Sequence, residues 1–240
     1  SFSTRDLSFS VADSIPADMQ PVDYTRSLSS ALAVAAEIYP LGGLGRWVGN
    51  LGVLGSFERS VGLSSQLEGG DAESFDTVQQ AWHAGLIYQI PVSGGERSVT
   101  GAVRVGYGQL SHTIDLRDSG IALPDVTYTA IDVGLALRLH LQSALAVNAH
   151  ARYLVVTDAG ELSSMTAYGS GSSSGIDAEA NVELRFVAPI VIKIGGRLTR
   201  MSMDFDGTGA LTEIDQAGEP DVSGASDTYA GGYVLVGYEF

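Results

Sequence analysis

The chain contains no cysteine, which excludes a disulfide framework, a thiolate metal site and a cysteine nucleophile. It also lacks any uninterrupted apolar run of the roughly eighteen residues that a transmembrane helix needs. Its best stretch, Ile131 to Leu141, is broken by Asp132, Arg138 and His140. No basic segment leads into an apolar one at the start, so any secretory signal is expected to have been removed or to lie outside this chain. Cations are scarce: 13 Lys and Arg stand against 28 Asp and Glu, a formal net charge of −15. That sign argues against a nucleic-acid partner, because phosphates are bound by surface Lys and Arg. The glycine-rich stretches Leu41 to Gly45 and Gly169 to Gly175 have neither the Lys-Ser/Thr nor the strand-to-helix context of a phosphate loop.

Mean hydropathy is nevertheless slightly positive, +0.15. A strongly acidic soluble protein normally has a hydrophilic average, so charge and apolar residues must be segregated along this chain. Alternation with a period of two supplies the segregation, and it marks strands. In the segment 176 to 186, Ile176, Ala178, Ala180, Val182, Leu184 and Phe186 alternate with Asp177, Glu179, Asn181, Glu183 and Arg185. The same reading recurs over 28 to 38, 51 to 61, 82 to 90, 99 to 107, 131 to 139, 145 to 155, 190 to 198 and 229 to 240. Ser1 to Val11 alternates less cleanly, because Phe2 falls out of phase with Leu7, Phe9 and Val11. It is counted as a first strand, bulged or truncated.

The connections alternate in length. Residues 12 to 26, 63 to 77, 113 to 125, 158 to 174 and 205 to 226 are long, whereas 92 to 97, 141 to 143 and 187 to 189 are short, with 40 to 47 between the two classes. Tight turns at one end and extended loops at the other are the habit of transmembrane barrels. The expected fold is all-β: one antiparallel up-and-down barrel domain over residues 1–240, with about ten strands and eight as the alternative.

The polarity of the two faces points to a bilayer rather than to water. One face is continuously Leu, Ile, Val, Phe and Tyr. The other mixes Gly, Ala and Ser with Arg104, Arg138, Arg152, Arg185, Lys193 and Arg197, set against Glu37, Glu58, Asp132, Asp177, Glu179, Glu183 and Glu239. A charge-filled interior of paired ions is expected. Tyr39, Trp47, Tyr88, Phe186, Tyr238 and Phe240 near the short-turn ends are expected to form part of an aromatic girdle.

The final strand, Tyr233-Val234-Leu235-Val236-Gly237-Tyr238-Glu239-Phe240, resembles the terminal pattern of the small outer-membrane barrels of Gram-negative bacteria, the OmpA-like, OmpW-like and porin-like proteins. The resemblance implies that Tyr238 and Phe240 belong to the insertion signal read by the barrel-assembly machinery. It also implies a bacterial outer-membrane location, a bilayer containing lipopolysaccharide as surroundings, short turns on the periplasmic side and long loops outside.

Nineteen of the 28 acidic residues lie in or beside the five long loops, which offers an acidic surface to a protein partner there, the periplasmic face being the other place for one. In the last loop, Asp204, Asp206, Thr208 and Asp215 partly match calcium-loop spacing, with Gly207 in the turn position. The final ligand is Asp rather than a bidentate Glu, and flanking helices are not expected. Weak Ca²⁺ binding is the only cofactor expectation. Of the histidines, His83, His140 and His150 fall on the charged face, and His112 sits near a loop beside Ser111 and Asp115. Neighbours on one strand point to opposite faces, so that grouping does not make a triad. The expected function is a non-enzymatic integral outer-membrane protein, structural or partner-presenting. A narrow pore for ions or small solutes is the alternative, and a lipid-modifying or proteolytic barrel follows behind it.

Overall fold

The period-two pattern folds into eleven strands in a computed structural model that describes all residues except 17–19, 22, 45–46, 67–73, 96, 116–124, 188, 213–220 and 240. The strands are β1 (Phe2–Val11), β2 (Tyr24–Ile38), β3 (Leu51–Ser60), β4 (Ser64–Gln66), β5 (Ser74–Ser93), β6 (Val99–Ile114), β7 (Val126–Gln142), β8 (Leu145–Gly160), β9 (Gly171–Val187), β10 (Ile190–Phe205) and β11 (Val222–Tyr238). Each pairs antiparallel with its neighbours, and β1 pairs with β11 from Phe2↔Gly232 to Val11↔Val222, which closes the ring. The three-residue β4 runs against Ser74 to Asp76 of β5, ahead of the β3 ladder on the same strand. The barrel wall therefore has ten staves, as the alternation predicts. Tyr233 to Tyr238 and Leu32 to Ile38 continue past the start of β1, paired with β10 and β3 respectively.

The strands run further into the long-loop end than the apolar face indicates. Residues 74 to 77, 113 to 114, 158 to 160, 171 to 174 and 222 to 226 are strand, where loops were expected. The cause is an exchange of faces partway along several staves. On β7, Ile131, Val133, Leu135 and Leu137 point outward and are exposed, while Asp132 and Gly134 point inward. Three residues earlier the inward side chains are Val126, Tyr128 and Ala130, all buried, and the outward ones are Thr127 and Thr129. The same exchange takes β10 from inward Lys193 and Arg197 to inward Met201 and Met203, and from outward Ile194 and Leu198 to outward Arg200 and Ser202.

β1 crosses the same boundary. Phe2 is exposed on the apolar belt, whereas Arg5 and Leu7 are buried inside. The phase break between Phe2 and Leu7 is thus the exchange of faces, and β1 carries its register irregularity against β2 between Ser3 and Arg5.

The barrel consequently has two interiors. Near the long-loop end, Leu7, Tyr24, Val126, Tyr128, Leu154, Met201, Met203, Val222 and Tyr229 form an apolar core that also takes in Leu162 and Tyr168 from the connection between β8 and β9. A 3₁₀ turn at Glu161–Ser163 directs Leu162 into it, fully buried. Nearer the short turns, the interior is lined by charge.

Candidate functional site

The charged interior surrounds a cavity of about 430 Å³, lined by Glu37, Glu58, His83, Arg104, Arg152 and Arg197 among others. At the short-turn end Lys193 is 45% and Glu239 52% exposed, although Glu183 between them stays buried, and Asp177 deeper in the barrel is fully buried. The lumen therefore opens at that end. At the other it meets the apolar core.

The wall of β7 to β10 is held by paired ions. Asp177 accepts from Arg152 Nη2 at 2.7 Å, from Arg197 Nε at 2.7 Å and from Thr199 Oγ1 at 2.6 Å. His150 Nε2 lies 3.6 Å from the same carboxylate. Asp132 takes His83 Nε2 at 2.7 Å and has Arg152 Nη1 at 3.7 Å. Nearer the short turns, Glu183 accepts from Arg138, with Arg185 Nε at 3.3 Å and Lys193 Nζ at 3.7 Å, and Arg185 continues to Glu239 at 2.9 Å. Glu179 accepts from Tyr233 and from Asn181. Guanidinium donors and hydroxyls replace the water that these carboxylates lose on burial.

Small residues make room for the pairs. A Cβ on Gly106 would collide with His83 Nε2 and stand 2.9 Å from Asp132 Oδ2, and one on Gly134 would stand 2.6 Å from Arg152 Cγ. The other three expected network members lie elsewhere on the lumen wall. Glu37 accepts from Tyr39 Oη, and Glu58 from Ser1 Oγ at 3.0 Å. Arg104 has a buried Nε with no hydrogen-bond partner.

A second set of polar groups lies within the apolar core. Arg5 donates to Asp227 through Nε at 3.0 Å and Nη2 at 2.7 Å, with both side chains essentially inaccessible. Tyr128 and Tyr229 donate to the same carboxylate at 2.9 and 3.0 Å. The Arg5 guanidinium stands 5.3 Å from the ring centroids of Tyr24 and Tyr229. Next to it Arg26 donates to Ser29 Oγ at 2.8 Å and faces His112 Nδ1 at 3.5 Å. Arginine has no acceptor, so the ring nitrogen facing it is unprotonated. Burial pushes the Tyr168 phenol, at the long-loop end, up to about 12.

Several expectations are corrected here. Asp227, at the edge of the expected loop 205 to 226, belongs to strand β11 and is buried against Arg5. Arg26 is likewise an interior strand residue. His112 is buried and inward, because it lies beyond the exchange of faces on β6, where inward positions belong to the core. Ser111 donates instead to Gln80 O, so Ser111 and His112 do not converge. Tyr39 packs inside against Leu54 and Ile87 and leaves the girdle, whereas Trp47, Phe186 and Tyr238 are well exposed. Phe240 lies outside the described residues.

Among the described residues the calcium-loop spacing does not come together. Asp204 is a strand residue of β10, paired with Ser172 and Gly224. The Thr208 hydroxyl is taken by Ser170, and Asp215 lies outside the described residues. Among the described residues no three His, Cys, Asp or Glu side chains come together as a metal site.

No protein family matches the chain by sequence, and no curated protein does. Among solved structures it is similar to the outer-membrane-expressed OmpT of Vibrio cholerae, with 12% identity and a TM-score of 0.31 over 86% of this chain and 57% of that one. It is similar also to the in-vitro folded OmpT of the same organism, with the same identity and TM-score over 95% and 64%. The chain spans less than two thirds of the length of either.

Proposed function

We propose that the chain is an integral outer-membrane β-barrel without enzymatic activity, sealed at its long-loop end, which presents acidic loops to the outside. The observation that carries this reading is the exchange of faces along the staves. Outward side chains such as Leu135, Leu137, Val234 and Val236 are exposed and apolar over the half with a charged interior. A contiguous apolar surface of this kind is incompatible with water and suited to lipid. A closed ring satisfies the backbone groups that lipid cannot. Beyond the exchange, polar outward positions and an apolar interior are the pattern of a barrel standing in water.

The seal supports a non-conducting protein over a pore. A water-filled path through the barrel would have to cross the core around Tyr128, Leu162, Met203 and Val222, where each is at most 2% exposed. The long-loop face retains acids such as Asp13, Asp158, Asp204 and Asp206 at exposed positions, which favours a basic partner on that side. Planar-bilayer recording of the purified barrel tests the seal. No steady unitary conductance is expected, and a regular single-channel step would overturn it.

A further inference from the structure

The two walls of the lumen differ in how their charges are satisfied. From β7 to β10 nearly every inward ion has a counter-ion, as described above. On the facing wall, Glu37 of β2 and Glu58 of β3 accept only hydroxyls, and neither has a cation within ion-pair distance among the described residues. Arg104 of β6 likewise forms no ion pair there, and its Nε is buried without a partner. All three line the same cavity of about 430 Å³. A guanidinium whose Nε is buried without a hydrogen-bond partner, with Glu37 and Asp132 near it but outside ion-pair distance, is costly for the empty protein, while Glu58 is half-buried and Glu37 is exposed toward the short turns.

The apolar patch of Leu54, Ile87 and Ala102, with Tyr39 and Ala136 against it, contributes Leu54, Ile87, Ala102 and Ala136 to the same cavity. The wall thus offers a guanidinium fork, two acceptor-only carboxylates and a methylene-sized apolar surface. A simple anion would meet Glu37 and Glu58, and a simple cation would meet Arg104. Only a solute carrying both charges satisfies both ends.

We propose that the lumen binds a small linear zwitterion, an ω-amino acid in chemical class, entering from the short-turn end. Its carboxylate sits on Arg104 in the two-pronged manner that guanidinium favours. Its ammonium lies at Glu37 and Glu58, and its methylenes cover the apolar patch. The proposal rests on the reading that the lumen is sealed at the long-loop end and reached from the other.

The test is isothermal titration of the refolded full chain in detergent micelles. The probes are β-alanine, 4-aminobutyrate and 6-aminohexanoate, with acetate and methylammonium as single-charge controls. At least one amino acid is expected to bind at least about tenfold tighter than either control, the scale of a second charge-assisted hydrogen bond that neither control can make. Arg104→Gln is expected to reduce that probe to the level of methylammonium, and the Glu37→Gln, Glu58→Gln double variant to the level of acetate. Arg104→Lys, which keeps the charge and loses the fork, is expected to fall between. Amino acids no tighter than the controls would overturn the proposal, as would binding untouched by Arg104→Gln in a barrel whose β circular dichroism is unchanged. Conductance measured on the same preparation separates the two readings. A conducting barrel that binds the amino acid removes the seal and keeps the site, and a silent barrel that binds none of the probes does the reverse.

Discussion

On β10, six inward positions tell the difference between the two halves of the barrel. Lys193, Arg197 and Thr199 face the lumen in one half, and Met201, Met203 and Phe205 face the core in the other. Their outward neighbours change in the opposite sense, from Ile194 and Leu198 to Arg200, Ser202 and Asp204. The backbone ladder to β9 and β11 runs unbroken through the change from Val191 to Asp204. One strand therefore serves two solvents without altering its hydrogen bonding, and side-chain polarity alone records which solvent lies outside.

Each half also treats buried charge differently. In the lumen, ions are numerous and shared among several partners. In the core, among the described residues, one pair is tightly satisfied, Arg5 and Asp227, with two tyrosine hydroxyls completing the carboxylate. The largest expected effect follows from that isolation. Asp227→Ala leaves a buried guanidinium and two tyrosine hydroxyls without their acceptor and is expected to cost about 3–5 kcal/mol of unfolding free energy in urea, read by tryptophan fluorescence. Arg152→Ala, whose partner Asp177 keeps Arg197 and Thr199, is expected to cost clearly less. Equal losses would erase the distinction between the two interiors.

Leu162→Ala empties a fully buried site in the core and is expected to cost about 2–4 kcal/mol. It is also the substitution best placed to loosen the seal, so bilayer recordings on it sharpen the comparison: brief openings absent from the parent protein are expected. The outward face offers the cleanest pair. Leu135→Arg, on the apolar belt, is expected to destabilise the barrel refolded into lipid by about 2–4 kcal/mol. Thr129→Arg, six residues away on the same face of β7, is expected to change stability by less than about 0.5 kcal/mol. Similar costs at both positions would place both in one solvent.

The closed barrel, its stave number and the inward charges were legible from alternation because period two is strong where one face is wholly apolar. What alternation hid was the exchange. Leu110, His112 and Ile114 continue the inward series begun by Ala102 and Arg104, but with polarity reversed, so the segment reads as pattern loss and a loop. The same blindness put Arg26 within an expected loop and Asp227 at the edge of another, and left Phe2 as an anomaly. Had Phe2 against Leu7 and Phe9 been read as a change of surroundings, the boundary on β1 would have been visible. Tyr39 was lost for another reason: it lies one residue beyond β2, where alternation no longer fixes direction. That Arg104 forms no ion pair among the described residues could not be seen at all, because its neighbours are set by cross-lumen distances that no single strand encodes.

Depth along a single stave tests the two-solvent barrel most directly. Spin labels placed one at a time at the outward positions of β7, from Thr127 to Leu141, and read for collision with oxygen and with a water-soluble nickel chelate in lipid bilayers, should divide sharply. Positions 131, 133, 135 and 137 are expected to favour oxygen, and positions 127 and 129 the chelate. A uniform lipid-like or water-like profile from 127 to 137 would contradict the exchange of faces and the membrane position drawn from it.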